Sequence, residues 1–396
     1  MNNILTVISE YNPFHLGHRY HLEQSITQTN PEYKVAIISG NFVQRGEPSL
    51  LNKWEKAEIA LDNGFDLVIE LPCIYAISSA ENFANGAIKI ANQLQTSILS
   101  FGSEDGNIEN LTKLSSLILK NEKEYIKKVK EKISEGFSYP KSQEITINEL
   151  FGNEFYKICS PNNILGLEYL KSISNTNSNI KPLTIKRNFD FSSSSNIRSI
   201  LRKSSNLSEL TNILPTSSLS HLENAIKSGK LVISLKEFEK EILFTLRKMN
   251  IDDLKNIPDI PENLLNKFKK ASNSCNTIEE LILILKNKSI TQARIQRILL
   301  YIMLGITKHD MEISKQAVPY IRVLGTNQKG KKLLSSISKI TSNLITSLKS
   351  FENRCQDKNL LRLLEIDKIS TNIYTLAYKK DSKGNLDYTT KIVERN

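Results

Sequence analysis

A chain of 396 residues with 39% hydrophobic and 24% charged residues has room for two ordinary globular domains. No apolar run approaches a membrane span of roughly 20 residues, the longest lying around Ile298 to Ile306. Cys73, Cys159, Cys275 and Cys355 are scattered, without a CxxC pair or a His/Cys spacing. That argues against a disulfide frame and a metal site, and for small buried thiols in a reducing, cytoplasmic setting. The net charge of +11 is uneven: residues 1–190 hold 19 Lys+Arg against 22 Asp+Glu, and residues 191–396 hold 34 against 20. A nearly neutral first half joined to a basic second half points to a polyanion such as nucleic acid, although lysine also serves as plain solvated surface.

The first element is an apolar, partly β-branched strand over Ile4 to Ser9, expected to be buried and parallel. Glu10 to Pro13 break the pattern, and Pro13 disfavours helix at Asn12. After Gly17 the sequence becomes helix-compatible, which places free N–H groups and the positive end of a helix dipole above the strand. His15 and His18 flank that glycine and can face one anion, stabilising charge that builds on a phosphoryl group. This points to the α-phosphate of ATP. His21, one turn on, either extends the set or packs.

Lys34 to Ser39, Asp66 to Leu71, Ser97 to Phe101 and Pro182 to Lys186 read as further buried strands, with helices at Pro48 to Asn63, Ser78 to Ala91 and Ile108 to Glu135. The alternation predicts an α/β fold with a Rossmann-like, doubly wound parallel sheet over residues 1–190, whose ligand sits at the carboxyl ends of the strands. Gly40 to Gly46, Pro72 and Gly102 to Glu104 fall at those ends. Gly102 either admits a purine or is a turn glycine. The segment from Ser160 to Gly166 opens a helix with a serine cap and Pro161 at its first position, and Asn162 there has a donor and an acceptor for a base or ribose. Lys186 and Arg187 follow the fifth strand and face an anion in this reading.

Ser192 to Arg198 reads either as a polar linker with an N-capped helix or as a second grip on the β- and γ-phosphates through Ser193, Ser194, Ser195 and Arg198. Residues 191–396 are expected to form a mainly α-helical, basic domain, with amphipathic segments at Leu235 to Met249, Ile278 to Lys286 and Thr291 to Thr307. Arg294 and Arg297 share a face in the last of these, and Tyr320 to Gly325 followed by Lys329, Lys331 and Lys332 sets an aromatic among cations. These are the candidate RNA contacts.

In order along the chain, EYNPFHLGH, GNFVQRGEPS, KW with AEIAL, DLVIELP, SAENFANGA, FGSE, SPNNILGLEYL and YIRVLG resemble the bacterial tRNA(Met) cytidine acetate ligases, of the HIGH-type nucleotidyltransferase superfamily. The resemblance spans essentially the whole chain. It departs at Asn52, where an acidic residue is expected, at Lys56, where an arginine is expected, and in the looser serine-rich stretch. It implies an enzyme that activates acetate as acetyl-adenylate with ATP and Mg²⁺ and passes the acetyl group to N4 of the wobble cytidine of elongator tRNA(Met). It also implies an ATP site made of Val7, Ile8, Ser9, Glu10, Tyr11, Asn12, Pro13, Phe14, His15, Leu16, Gly17, His18, Arg19, Tyr20, Gly102, Asn162 and Arg187. Acetate is already a nucleophile at neutral pH, so adenylation needs in-line placement and relief of anion repulsion rather than a base. Transfer is harder, because the cytosine amine is conjugated with its ring. Glu10 is either a base for that step or a carboxylate that holds the turn. The competing functions are a small-molecule adenylyltransferase and an ATP-responsive RNA-binding protein without catalysis.

Overall fold

The computed structural model describes residues 3–104, 106–152, 155, 161–204 and 207–396. The elements run β1 (Ile4–Ser9), α1 (Leu16–Thr29), β2 (Tyr33–Ser39), β3 (Phe42–Val43), β4 (Glu47–Pro48), α2 (Lys53–Asp62), β5 (Leu67–Leu71), α3 (Cys73–Ala76), α4 (Ala80–Gln93) and β6 (Ile98–Ser103). Then come α5 (Ile108–Lys120), α6 (Glu122–Ser134), α7 (Tyr139–Phe151), α8 (Pro161–Asn175), β7 (Lys181–Lys186), α9 (Ser194–Lys203), α10 (Thr216–Ser228), α11 (Glu239–Lys248), α12 (Ile251–Lys255), α13 (Leu265–Ser274) and α14 (Ile278–Leu285). The chain finishes with α15 (Gln292–Leu304), α16 (Lys308–Gln316), β8 (Ile321–Thr326), α17 (Gln328–Ile337), β9 (Leu344–Ile345), α18 (Leu348–Arg354), α19 (Lys358–Tyr374), α20 (Leu386–Thr389) and β10 (Val393–Glu394).

The main sheet has the order β10-β8-β5-β2-β1-β6-β7, with β9 also on β8. Its strands pair in parallel except β5 with β8, which run antiparallel. Successive side chains point to opposite faces. Ile4, Ile8, Val35, Ile37, Leu67 and Ile69 therefore enter one core with α4, α8 and the later helices. Leu5, Val7, Ala36, Ile38 and Val68 enter the other with α2, α9 and α10. Both faces are covered, which is why these strands read as continuous apolar runs.

Two expectations change. The segment from Tyr320 to Gly325 is not an RNA-facing stretch: Tyr320 is fully buried, Arg322 is 4% exposed, and β8 extends the sheet beside β5. The helix expected over Ile108 to Glu135 is two helices, because Asn121 both ends α5 and precedes α6. Cys73 and Cys275 are buried and Cys355 is half-buried, whereas Cys159, like Ser160 of the expected helix cap, lies outside the described residues. Among the described residues no helix is long and apolar enough to cross a membrane.

Candidate nucleotide site

The turn between β1 and α1 is fixed from below. Asn12 spends its side chain on the hairpin opposite, its Nδ2 donating to the Pro48 carbonyl at 3.1 Å and its Oδ1 accepting from Leu50 N–H at 2.8 Å. Tyr11 adopts a left-handed φ of 45°, a rare conformation for an aromatic residue. Its buried ring is held by Phe14 at 4.7 Å, His18 at 5.0 Å and Phe65 at 6.1 Å between centroids. Val7, Ile8, Tyr11, Asn12, Pro13 and Phe14 are buried. These positions shape the site, and the half-buried His15, Leu16, Gly17 and His18 present it.

His15 is the N-cap of α1. Its Nδ1 accepts from the Gly17 N–H at 3.1 Å, and His18 Nδ1 accepts from the His15 N–H at 3.2 Å. With Nδ1 accepting in both rings, each neutral imidazole carries its proton on Nε2, the atom left to donate. The rings stack with centroids 3.7 Å apart and 25° between planes. Burial, then the charge of Arg187, pulls His15 down to about 4. Burial, then His15, His21 and Arg187, holds His18 well below the ordinary imidazole range. At neutral pH the pair is uncharged, and repulsion between stacked imidazoliums is avoided. Gly17 has to be glycine here, since a Cβ would lie 2.9 Å from His15 Cε1 and 3.2 Å from Phe191 Cβ. His21 packs instead of extending the pair: its Nε2 meets Ser100 Oγ at 3.1 Å, and burial lowers it to about 4.

The carboxyl ends of β6 and β7 supply the other side. Space above Gly102 is open, as a Cβ there would meet nothing within 4 Å. Asn162 Nδ2 donates to Glu104 Oε1 at 2.9 Å, and the neighbouring Asn163 Oδ1 accepts from Glu104 N–H at 3.3 Å, so α8 is tied to the segment after β6. The Arg187 N–H donates to the Ser103 carbonyl at 2.8 Å, while its guanidinium is exposed and lies 5.5 Å from the Phe189 ring. Gly102, Asn162 and Arg187 thus converge through Ser103 and Glu104. Arg19 is exposed and paired with Glu23 at 2.9 Å, and Tyr20 packs against Phe191 at 5.5 Å. Glu10 Oε1 accepts from the Gln44 N–H at 2.9 Å, which holds the β3–β4 hairpin over the turn.

In the second candidate phosphate grip Arg198 is taken up within the protein, while Ser194 opens α9. Arg198 is 4% exposed and committed to protein: its Nη1 donates to the Asn12 carbonyl at 2.9 Å, its Nε lies 3.1 Å from Glu47 Oε2, and its Nη2 donates to Ser195 Oγ at 3.3 Å. Ser193 caps α9 by accepting from Asn196 N–H at 3.2 Å, and Ser194 is the half-buried first residue of that helix. The candidate RNA face changes similarly. Arg294 donates twice to the Asp259 carbonyl, at 3.2 and 2.9 Å, and Arg297 donates to the Gln44 carbonyl at 3.4 Å, so these two arginines tie helices and hairpin together. Lys331 pairs with Glu394 at 2.6 Å, and Lys332 is exposed. Asn52 explains one departure from the expected motif. As N-cap of α2 it accepts from Trp54 and Glu55 N–H at 3.0 and 3.1 Å, a role an aspartate fills equally well. At the other, Lys56 Nζ donates to the Ser39 and Gly40 carbonyls and to Ser49 Oγ, at 2.7, 3.0 and 3.0 Å.

The model of the HIGH Nucleotidyl Transferase family matches residues 1–388. A tRNA(Met) cytidine acetate ligase of Caldanaerobacter subterraneus subsp. tengcongensis is 39% identical over 98% of this chain and 99% of its own length. The chain belongs to this family. The ligase of the same name from Acetivibrio thermocellus is 36% identical over 98% of this chain and 99% of its own length. The crystal structure of Thermotoga maritima TmcAL bound with alpha-thio ATP superposes with a TM-score of 0.94 at 30% identity, covering 99% of both chains. The architecture that carries the stacked histidines here is thus shared with a protein solved with an ATP analogue bound.

Proposed function

We propose that the protein activates acetate with ATP as acetyl-adenylate, releasing pyrophosphate, and transfers the acetyl group to N4 of the wobble cytidine of elongator tRNA(Met). The observation that carries this reading is the neutral His15–His18 stack at the N-terminus of α1, with Nδ1 of both rings engaged and both Nε2 donors left over. Neutral donors at the positive end of the α1 dipole stabilise charge on an α-phosphate without the cost of burying two imidazoliums, although the first-turn N–H groups are themselves engaged, Leu16 with the Ile213 carbonyl at 3.1 Å and Gly17 with His15 Nδ1. Arg187 adds the one exposed cation that acts on both rings. Asn162 and the open space over Gly102 suit the nucleoside end of ATP, and Val7 to Tyr20 suit its phosphates. Mg²⁺ carried on the triphosphate would offset part of its charge.

Acetate attacks the α-phosphorus in line with the departing pyrophosphate, and the cytidine amine then attacks the acetyl carbonyl of the mixed anhydride, expelling AMP and losing a proton. Residues 1–190 serve as the adenylating part and residues 191–396 as the tRNA-facing part, with β8 and β10 of the latter completing the sheet of the former. Glu10 is a positioning residue in this scheme, since one of its carboxylate oxygens already holds Gln44. The test is transfer of labelled acetyl from acetate into tRNA(Met) by purified protein with ATP and Mg²⁺. His18→Ala should lower the adenylation rate by about 100- to 1000-fold, the range for loss of one preorganised donor, while leaving tRNA affinity near wild type. Full activity of that variant would remove the histidine pair from the chemistry.

A further inference from the structure

The loop that joins β7 to α9 carries two phenylalanines with opposite fates. Phe191 turns inward, its Cβ 3.2 Å from where a Gly17 Cβ would stand and its ring 5.5 Å from Tyr20. Phe189, two residues earlier, turns outward and is 67% exposed. Exposing a phenylalanine forgoes the stabilisation its burial would bring. The loop is nevertheless held. Asn188 Oδ1 accepts from the Asp190 N–H at 2.9 Å, which places Phe189 at the tip of a turn, and the Arg187 N–H is anchored to the Ser103 carbonyl at 2.8 Å.

The position of that tip matters. Other exposed aromatic side chains among the described residues, Phe137, Tyr139, Phe244 and Tyr388, lie on or beside helices α6, α7, α11 and α20. Phe189 instead stands within two residues of both Arg187, whose charge reaches the two histidines, and Phe191, which touches the histidine turn. Residues 189 and 190 form a turn, so the ring stands beside Arg187, which is anchored at the carboxyl end of β6. The Arg187 guanidinium lies 5.5 Å from the ring centroid. Lys186 and Arg187, just before it in the chain, are exposed cations suited to a sugar–phosphate backbone.

We propose that Phe189, backed by Arg187, is a stacking shelf for the unpaired pyrimidine base of the RNA that enters the histidine cleft. The proposal rests on the reading given under Proposed function and adds to it the group that receives the base. An aromatic face binds any unstacked base without hydrogen-bond readout. The shelf thus holds the cytidine near the cleft, and its selection from other bases belongs to groups deeper in the site.

The full-length protein tests this through Phe189→Ala and Phe189→Trp. Acetate-dependent exchange of pyrophosphate into ATP should be unchanged in both. The kcat/KM for tRNA should fall on the order of tenfold or more in the alanine variant, as expected for loss of one base–aromatic stack, and return to within a few-fold of wild type with tryptophan. Fluorescence of the Phe189→Trp protein should be quenched by an anticodon stem-loop RNA, against the background of the 7% exposed Trp54. Unaltered tRNA kinetics in Phe189→Ala would overturn the shelf. A matching rise in KM for ATP would also overturn it, assigning the ring to the adenine, and failure of tryptophan to restore transfer would make the role one of packing. Quenching by the stem-loop in a protein without acetate-dependent exchange would uphold the shelf and remove the acetate reading, so the two failures are separable.

Discussion

Two polar clusters lie at the carboxyl edge of the same sheet and solve burial in opposite ways. The histidine cluster discharges: His15 and His21 are pulled to about 4 and His18 lower, so three imidazoles sit close together without charge. The cluster at the end of β5 keeps its charges and pairs them. Lys53 Nζ lies 3.0 Å from Glu70 and 2.7 Å from Asp387, and Arg322 lies 3.3 and 2.6 Å from the same two carboxylates. Burial opposes ionisation of Asp387, but Arg322 and Lys53 outweigh it and hold that carboxyl down to about 2. Asp367, beside them, accepts from Cys73 N–H at 2.7 Å and from the Tyr320 hydroxyl, and burial with Glu70 nearby pushes it up to about 7. The paired cluster joins β5, α2, β8 and the last helix, with Arg322 Nη1 and Asp387 Oδ2 buried and without a hydrogen bond among the described residues. In the discharged cluster His21 Nε2 meets Ser100, while the Nδ1 atoms of His15 and His18 are engaged and their Nε2 atoms are the ones left to donate. In the proposed reading the paired cluster holds the fold and the discharged one meets the nucleotide.

The largest effect that would break this comparison lies in the paired cluster. Lys53→Met should cost about 3 to 5 kcal/mol in chemical denaturation, the range for leaving a buried carboxylate without its partner, while the folded fraction keeps its pyrophosphate-exchange activity. A loss of activity without a loss of stability would put Lys53 in the chemistry. The pH dependence comes next. His15 charges at about 4 in the folded chain against an ordinary 6.5. The unfolded chain thus binds more protons between those values, so this contribution to stability is complete above 6.5 and is lost as pH falls towards 4. The acid limb of adenylation should accordingly lie well below 6.5, and a midpoint near 6.5 in the rate profile would mean that the pair is not discharged.

Smaller changes sharpen the contrast between cations that are spent and cations that are free. Arg294→Ala should cost about 1 to 2 kcal/mol of stability through its lost bonds to the Asp259 carbonyl and leave the salt dependence of tRNA binding unaltered. A shallower salt slope would return Arg294 to the RNA face. Asn52→Ala should cost about 1 kcal/mol and Asn52→Asp almost nothing, as read from thermal unfolding; equal losses would show that the cap is not what Asn52 provides.

Much of the site was legible because its signals are local. The strand before HLGH, the glycine between two histidines and the five apolar runs each declare themselves within a few residues, and β1, β2, β5, β6 and β7 stand where those runs predict. What escaped depends on partners far along the chain. Arg322 makes the YIRVLG segment look like a cationic surface, because its carboxylates lie at Glu70 and Asp387, on either side of it and remote in sequence. Arg198 reads equally well as a phosphate grip until Glu47 and the Asn12 carbonyl are seen to occupy it. The two-residue strands β3, β4, β9 and β10 carry no periodicity at all. Phe189 and Phe191, two apart, would share a face on an extended segment, and they diverge because the chain turns between them.

The most direct measurement is exchange of labelled pyrophosphate into ATP by the wild-type protein and by His18→Ala, each with and without acetate. The account predicts exchange that requires acetate and is lost in the variant. Exchange that proceeds without acetate, or that survives removal of His18, would contradict it.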